Sequence, residues 1–279
     1  MKWISVNGKI QDATEPVLLA DDRGYRYGDG LFETMKMING AVPLLDLHFD
    51  RLFQGLKLLQ FELPGLFTRD KLAGDIAAIC KKNACDASAR VRLSISRGNG
   101  GLYDADRKLN YLIECWPLNE SFNHLNENGL VIGVYDGARK NCDTFSNLKS
   151  ANFLPYSMAA IYAKDNQLND CLVLNTHDQI CDSTIANLFW IKDDILFTPP
   201  LTEGCVDGVM RKYLLNELAK NGMKVQQEPV SPTDLEPADE IFLTNAITGL
   251  RWVKNFRDHS FVNKRSSEIY QQIIKTIFR

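Results

Sequence analysis

The dipeptide Asn-Gly twice interrupts strand-like sequence near the amino terminus. Asn7-Gly8 follows the run KWISV, and Asn39-Gly40 separates GLFETMKMI from AVPLL. A two-residue type I′ turn needs positive φ at both central residues, which Asn and Gly tolerate, so each dipeptide predicts an antiparallel hairpin. The flanking alternation agrees. Leu31, Glu33, Met35 and Met37 share one face of a strand, with Phe32, Thr34 and Lys36 on the other. ARVRLSISRG repeats the pattern, with Val91, Leu93 and Ile95 opposite Arg90, Arg92 and Ser94, and NYLIECW reads as its partner strand.

Between these strands the period changes. Leu47, Leu52, Leu56 and Leu59, with Phe49 and Phe53, fit an amphipathic helix starting near Asp46. Leu72, Ile76, Ile79 and Cys80 make a second. The polar, Asn-rich stretch from Pro117 to Gly129 predicts a domain boundary: a domain over 1–118, a linker over 119–128 and a domain over 129–279. Beyond it the chain reads as strand LVIGVY, a helix near 153–166, strands CLVLN, NLFWI and ILFTP, and a helix after Gly208. Strand EIFLTN and a last helix carrying Ile269, Ile273, Ile274 and Ile277 follow. Hairpin-joined strands in runs, with helices between the runs, make an α+β chain rather than a regular βαβ succession.

Composition excludes several classes. The 279 residues leave room for two domains, and a net charge of -3 with interspersed signs argues against a nucleic-acid partner. No apolar stretch reaches signal-peptide or membrane-span character, so no membrane partner is expected. The seven cysteines are scattered. Four residues separate Cys80 from Cys85, there is no paired CxxC, and the histidines show no ligand spacing, so no metal is expected. Reduced thiols in a cytoplasmic protein are the plain reading. Dinucleotide, P-loop, zinc-protease and nucleophile-elbow motifs are all missing.

Four segments carry candidate chemistry, and each alone has an ordinary explanation. Arg51 in LHFDRL is either a solvated arginine or a guanidinium whose fork fits phosphate. Lys149 in SNLKSANFLPY is either a surface lysine or a confined amine able to form a Schiff base. Asp182 in QICDSTIANLFWI is either a strand-entry residue satisfied by backbone N–H groups or the partner of a cation. Asp207-Gly208 opens a helix, with Asp207 as N-cap, and the N–H groups of Val209 and Met210 can face an anion. Taken together, an amine, a carboxylate, an arginine and a helix N-terminus are the groups that pyridoxal 5′-phosphate requires.

The segments RYGDGLFET, HFDRL, NLKSANFL, ICDSTIANLF, FTPPLTEGCVDGVMR and DEIFLTNAITGLRWV occur in the order seen in class IV (fold type IV) pyridoxal-phosphate enzymes. The chain resembles that family from about Gly8 to Val253. The family contains branched-chain aminotransferases, D-amino acid aminotransferases and aminodeoxychorismate lyases. The resemblance implies two α/β domains with the cofactor between them, and a homodimer. By motif, Lys149 matches the Schiff-base lysine, Arg51 the phosphate-binding arginine, and Asp182 the position usually held by Glu, five residues before Asn187. Val209 and Met210 match the phosphate-binding pair, and Ala246 stands where many members have a phosphate-binding Thr. Tyr27 and Arg92 match positions that line the substrate side in some members.

Departures accompany the match. Asp182 is one methylene shorter than Glu. Met210 and Ala246 each remove a hydroxyl, which shifts the expected phosphate contacts to Arg51, backbone amides and Ser183 or Thr184. Phe153 stands where Tyr is frequent. The expected activity is transfer of an amino group between an amino acid, branched-chain or similar, and a 2-oxo acid. The alternative is an aminodeoxychorismate lyase releasing pyruvate and 4-aminobenzoate. A third reading is a protein that binds the cofactor without turnover.

Overall fold

The computed structural model describes residues 1–104 and 107–278. The chain divides into two compact units. One holds Met1–Glu120 and Leu148–Asn152, the other Ser121–Asn147 and Phe153–Arg279.

The first unit contains β1 (Trp3–Val6), β2 (Lys9–Asp12), α1 (Arg23–Tyr27), β3 (Gly30–Ile38), α2 (Leu45–Leu58), α3 (Arg69–Lys82), β4 (Ser88–Ser96) and β5 (Asn110–Pro117). The strands form one antiparallel sheet in the order β2-β1-β5-β4-β3. Both hairpin turns carry positive φ at Asn and Gly: 50° and 82° at Asn7-Gly8, 49° and 79° at Asn39-Gly40. Alternation decides the core. Met35, Met37, Val91, Leu93 and Ile113 face Leu52, Leu56, Leu72, Ile76 and Ile79 of α2 and α3 in one buried cluster. Such burial removes about 2 kcal/mol worth of apolar surface per side chain from water.

The second unit contains β6 (Leu130–Lys140), α4 (Leu154–Asp165), β7 (Asp170–Asn175), β8 (Ile180–Ser183), β9 (Asn187–Lys192), β10 (Ile195–Thr198), α5 (Val209–Lys220), β11 (Val225–Gln227), α6 (Pro232–Leu235), β12 (Glu240–Asn245), β13 (Gly249–Phe256), β14 (His259–Ser260) and α7 (Lys264–Ile269). Its mixed sheet runs β11-β10-β9-β12-β13-β6-β7-β8, with β14 paired to β13. Strand β7 is buried at every position, as its unbroken CLVLN run requires.

Three expectations need revision. The linker expected over 119–128 is not separate from both units: the boundary falls within it, where Glu120 closes the first unit and Ser121 opens the second. Asn126 clamps the backbone of Trp252, accepting from its N at 3.0 Å and donating to its O at 2.9 Å. Within the span expected as the second domain, Leu148–Asn152 returns to the first unit. The backbone bonds Phe32 N to Lys149 O and Ala151 N to Gly30 O, both 2.9 Å, tie it to β3. The last helix is α-helical only to Ile269 and then winds as a π turn over Tyr270–Ile274 and a 3-10 turn over Lys275–Phe278. Ile274 and Phe278 press against Gly249 there, so contact with β13 sets the winding.

Candidate active site

Lys149 sits in the returning segment, so its backbone is fixed by β3 rather than by a helix of its own. Its Nζ lies 4.6 Å from the centroid of the Phe32 ring. The Arg92 guanidinium lies 3.9 Å from the same centroid and donates from Nε to Ser94 Oγ at 3.0 Å. One aromatic ring thus holds an amine and a guanidinium together, favourable through the ring quadrupole. Burial lowers the Arg92 pKa from its ordinary value, and nearby Glu114 opposes the shift. Burial raises the Glu114 pKa in turn. Tyr27 is exposed at the end of α1 and packs under Arg23, 5.7 Å from ring centroid to guanidinium carbon.

Arg51 is not a solvated arginine. Its Nε donates to Glu33 Oε1 at 2.8 Å and its Nη2 to Glu33 Oε2 at 2.5 Å, a bidentate pair. His48 Nδ1 meets the same Glu33 Oε2 at 2.7 Å. Both residues lie one helical turn apart on α2, and Glu33 comes from the apolar face of β3. Glu33 is 1% exposed. Burial alone would raise its pKa, but the Arg51 charge and the His48 bond outweigh it and hold the carboxyl at about 2. Burial keeps His48 below its ordinary value, which fits a neutral imidazole donating from Nδ1, and its Nε2 is buried with no hydrogen-bond partner.

This pair has a pH signature. The folded value of about 2 lies below the ordinary 4.5, so the stabilisation is full above about pH 4.5 and is lost as pH falls toward 2. Its size is on the order of 3 kcal/mol. Glu33→Gln is therefore expected to cost about 3 kcal/mol in urea unfolding at pH 7, with the deficit shrinking as pH is lowered from 5 toward 3. An equal deficit at every pH would show that the carboxylate charge is not what stabilises this corner.

In the second unit Asp182 lies within β8 and is the centre of a buried polar cluster. Its Oδ2 accepts from Tyr156 Oη at 2.7 Å and from Val206 N at 3.0 Å, and its Oδ1 accepts from Asn187 Nδ2 at 2.9 Å. Lys140 Nζ lies 3.4 Å from Oδ2 and donates to Tyr156 Oη at 2.6 Å. Burial, with the Asp182 charge behind it, pushes the Tyr156 phenol well above its usual range. Tyr156 therefore stays a donor. Phe153 stacks on Tyr156 with ring centroids 4.4 Å apart. The hydroxyl missing at 153 is thus accompanied by one three residues later, and that one is bonded to Asp182.

The start of α5 differs from expectation in one detail. The N-cap is Gly208, not Asp207, so the N-cap residue itself has no side chain to cap the helix. A Cβ at Gly208 would lie 1.8 Å from Asn187 Oδ1, so only glycine lets the helix begin against that carboxamide. Asn187 thereby links the Asp182 cluster to the helix start. Val209 and Met210 bury their side chains, leaving their backbone N–H groups as the donors of the first turn. Ser183 and Thr184 do not offer free hydroxyls: Ser183 Oγ bonds Ala186 O at 3.2 Å and Thr184 Oγ1 donates to Asp170 at 2.6 Å. Ala246 brings no donor side chain, while the Thr244 hydroxyl two residues earlier is buried without a hydrogen-bond partner.

The first unit brings Lys149, Arg92 and Phe32 together, and holds Arg51 with Glu33 and His48. The second brings Asp182 together with Asn187 and, through it, the α5 start. Sequence reasoning missed Glu33, His48, Phe32, Lys140 and Tyr156. One signal was present: Glu33 is a carboxylate on a face otherwise made of Leu31, Met35 and Met37, and such a group must be paired.

Comparison with known proteins gives the family and the fold. The model of the family described as Amino-transferase class IV matches residues 30–256. An aminodeoxychorismate lyase from Vibrio harveyi is 31% identical over 232 residues, covering 82% of this chain and 83% of its own. A putative branched-chain-amino-acid aminotransferase from Methanocaldococcus jannaschii is 27% identical over 277 residues, covering 97% and 93%. Among solved structures, a hypothetical aminotransferase from Mycobacterium tuberculosis in a PLP-bound form superposes with a TM-score of 0.84 at 18% identity, over 99% of this chain and 98% of that one. The fold is that of the fold type IV enzymes, and the chain belongs to the class IV aminotransferase family.

Proposed function

We propose that this protein is a pyridoxal-phosphate-dependent aminotransferase that moves an amino group from an amino acid, branched-chain or similar, to a 2-oxo acid. The observation that carries this reading is the shared Phe32 ring, whose centroid lies 4.6 Å from the Lys149 amine and 3.9 Å from the Arg92 guanidinium carbon. An amine for chemistry and a cation for a substrate carboxylate then stand in one neighbourhood.

The residues fit the cofactor in three ways. Asp182 is a buried carboxylate, the partner a protonated pyridine nitrogen needs. The α5 N-terminus begins at a glycine and presents the backbone N–H groups of its first turn, which suit a phosphate. His48 Nε2 and Thr244 Oγ1 are buried polar atoms without hydrogen-bond partners. Lys149, Asp182, Arg51 and the backbone amides of Val209 and Met210 would hold the group. When bound, pyridoxal phosphate supplies an aldehyde that condenses with primary amines and a ring that accepts electron density from the substrate Cα. Lys149 Nζ would take the proton from the substrate Cα and deliver it to the carbon that the cofactor aldehyde supplies, so that the amino group stays behind. Arg92 orients the substrate carboxylate. Glu33 fixes the Arg51 fork and so acts through it, as a positioning residue. Asp182 holds negative charge in place because Tyr156, Asn187 and Val206 N fix both of its oxygens.

A second reading has its own support: the Vibrio harveyi relative at 31% identity is named an aminodeoxychorismate lyase. An assay panel separates the two. Branched-chain L-amino acids and D-alanine are offered with 2-oxoglutarate, and aminodeoxychorismate is offered alone. Glutamate formation supports the aminotransferase; pyruvate released without an amino acceptor replaces it with the lyase. Cofactor binding with neither product leaves the non-catalytic carrier. On the preferred amino donor, Arg92→Ala is expected to raise KM about 10- to 100-fold with a smaller change in kcat, the loss of one charge-assisted contact. An unchanged KM would remove Arg92 from the substrate side.

The proposal extends to a homodimer in the cytoplasm. All seven cysteines are free thiols, in keeping with a reducing compartment, and no helix among the described residues is long and apolar enough to cross a membrane. Light scattering of the purified protein tests the dimer.

A further inference from the structure

Three thiols of the first unit take no part in the chemistry above. Cys80 lies in the last turn of α3, Cys85 just beyond its end, and Cys115 on β5. All three are buried, and their sulfur atoms lie within 4.8 Å of one another, with Cys85 and Cys115 3.5 Å apart. Three sulfurs bound to one ion at about 2.3 Å stand about 3.8–4.0 Å apart, whether the angles are tetrahedral or trigonal. The Cys85–Cys115 spacing lies just below that figure, and the 4.8 Å bound on the set lies just above it. Sulfur shifts of a few tenths of an ångström, within reach of χ1 rotation, would close the set.

The surroundings favour a cation. Two carbonyls of the α3 carboxyl end face the sulfurs: Cys80 O is 3.6 Å from Cys85 Sγ, and Ile79 O is 3.6 Å from Cys115 Sγ. This is the negative end of a 14-residue helix. Asn83, the C-cap, donates from Nδ2 to Cys115 Sγ at 3.2 Å, which supports negative charge on that sulfur. The Asn83 side chain is held in turn by the backbone of Lys2 and Trp3. Lys2 and Lys82 both place their ammonium groups over the Trp3 ring, so positive charge is available at this end to offset anionic sulfur.

We propose that Cys80, Cys85 and Cys115 form a three-coordinate site for a soft, thiophilic ion of the Cu(I) class. Among the described residues the cluster offers three sulfurs, with no His, Asp or Glu grouped with them as a fourth ligand. Structural zinc takes four ligands, whereas soft thiolates without a fourth donor suit Cu(I). Each ligating cysteine binds as thiolate, so the ion displaces up to three thiol protons to solvent, and no electron is transferred. The bound ion would tie the end of α3 to β5. Spacing along the chain could not show this site, because the third sulfur arrives from a strand 30 residues after Cys85.

The test uses the full-length protein, reduced and under argon, titrated with Cu(I) supplied as its acetonitrile complex. Native mass spectrometry reads stoichiometry, a competing chelator gives the affinity, and X-ray absorption reads the ligand shell. One Cu(I) per chain with three sulfur neighbours is expected, unchanged in Cys142→Ser. Cys115→Ser and Cys80→Ala should bind at least about 100-fold more weakly while keeping the far-ultraviolet circular dichroism of the parent. Cys85→Ala serves in their place if a core variant does not fold. No uptake, a shell with fewer than three sulfurs, or parental affinity in the folded variants would overturn the proposal. So would a Cys85–Cys115 disulfide as the sole product.

Discussion

Lys149→Ala is expected to lose amino transfer by about 10²–10⁴-fold or more in kcat, since in the proposed function one side chain supplies both the covalent amine and the general acid/base. The protein should remain folded. The Lys149 backbone, which the substitution keeps, accepts the bond from Phe32 N of β3. The variant should also stay colourless with pyridoxal phosphate where the parent turns yellow and responds to an amino acid. Near-parental turnover in Lys149→Ala would mean that another amine does the work.

The second large effect is at Asp182. Asp182→Ala removes the acceptor for Tyr156 Oη, Asn187 Nδ2 and Val206 N, and leaves Lys140 without its nearest carboxylate. Breaking a buried charged pair in this way costs about 3–5 kcal/mol. Asp182→Asn keeps the shape and an acceptor oxygen, so its stability loss should be smaller. Its activity loss should not be. Removing an adjacent anion lowers the pKa of a protonated nitrogen by about 1–3 units, which corresponds to about 10- to 10³-fold in the protonated fraction. A folded Asp182→Asn with parental kcat would show that the cluster is structural only.

Much of this fold was readable in the chain. Asn7-Gly8 and Asn39-Gly40 demanded positive φ, and both turns have it. Alternation around Val91, Leu93 and Ile95 named the buried face of β4 correctly, because strand period and burial are coupled by geometry alone. The end of the last helix was not readable, since contact with Gly249 rather than local period shapes it. The candidate site was partly legible. Lys149, Arg51 and Asp182 stand in recognisable segments, but their immediate partners come from far along the sequence. Tyr156 and Lys140 reach Asp182 across 26 and 42 residues. Asp182 itself combines both readings open to it: it accepts a backbone N–H, from Val206, and lies beside an amine, Lys140. Ser183 and Thr184 looked available as hydroxyl donors only because Ala186 O and Asp170 could not be placed next to them from sequence.

Lys149 is the residue proposed to take the cofactor, and every other assigned role depends on it. Incubation with pyridoxal phosphate, reduction with borohydride and peptide mass spectrometry test this directly. A single phosphopyridoxyl group on the peptide carrying Lys149, absent from Lys149→Ala, is the predicted result. The label on Lys140 or any other lysine, or no stable label at all, would contradict it.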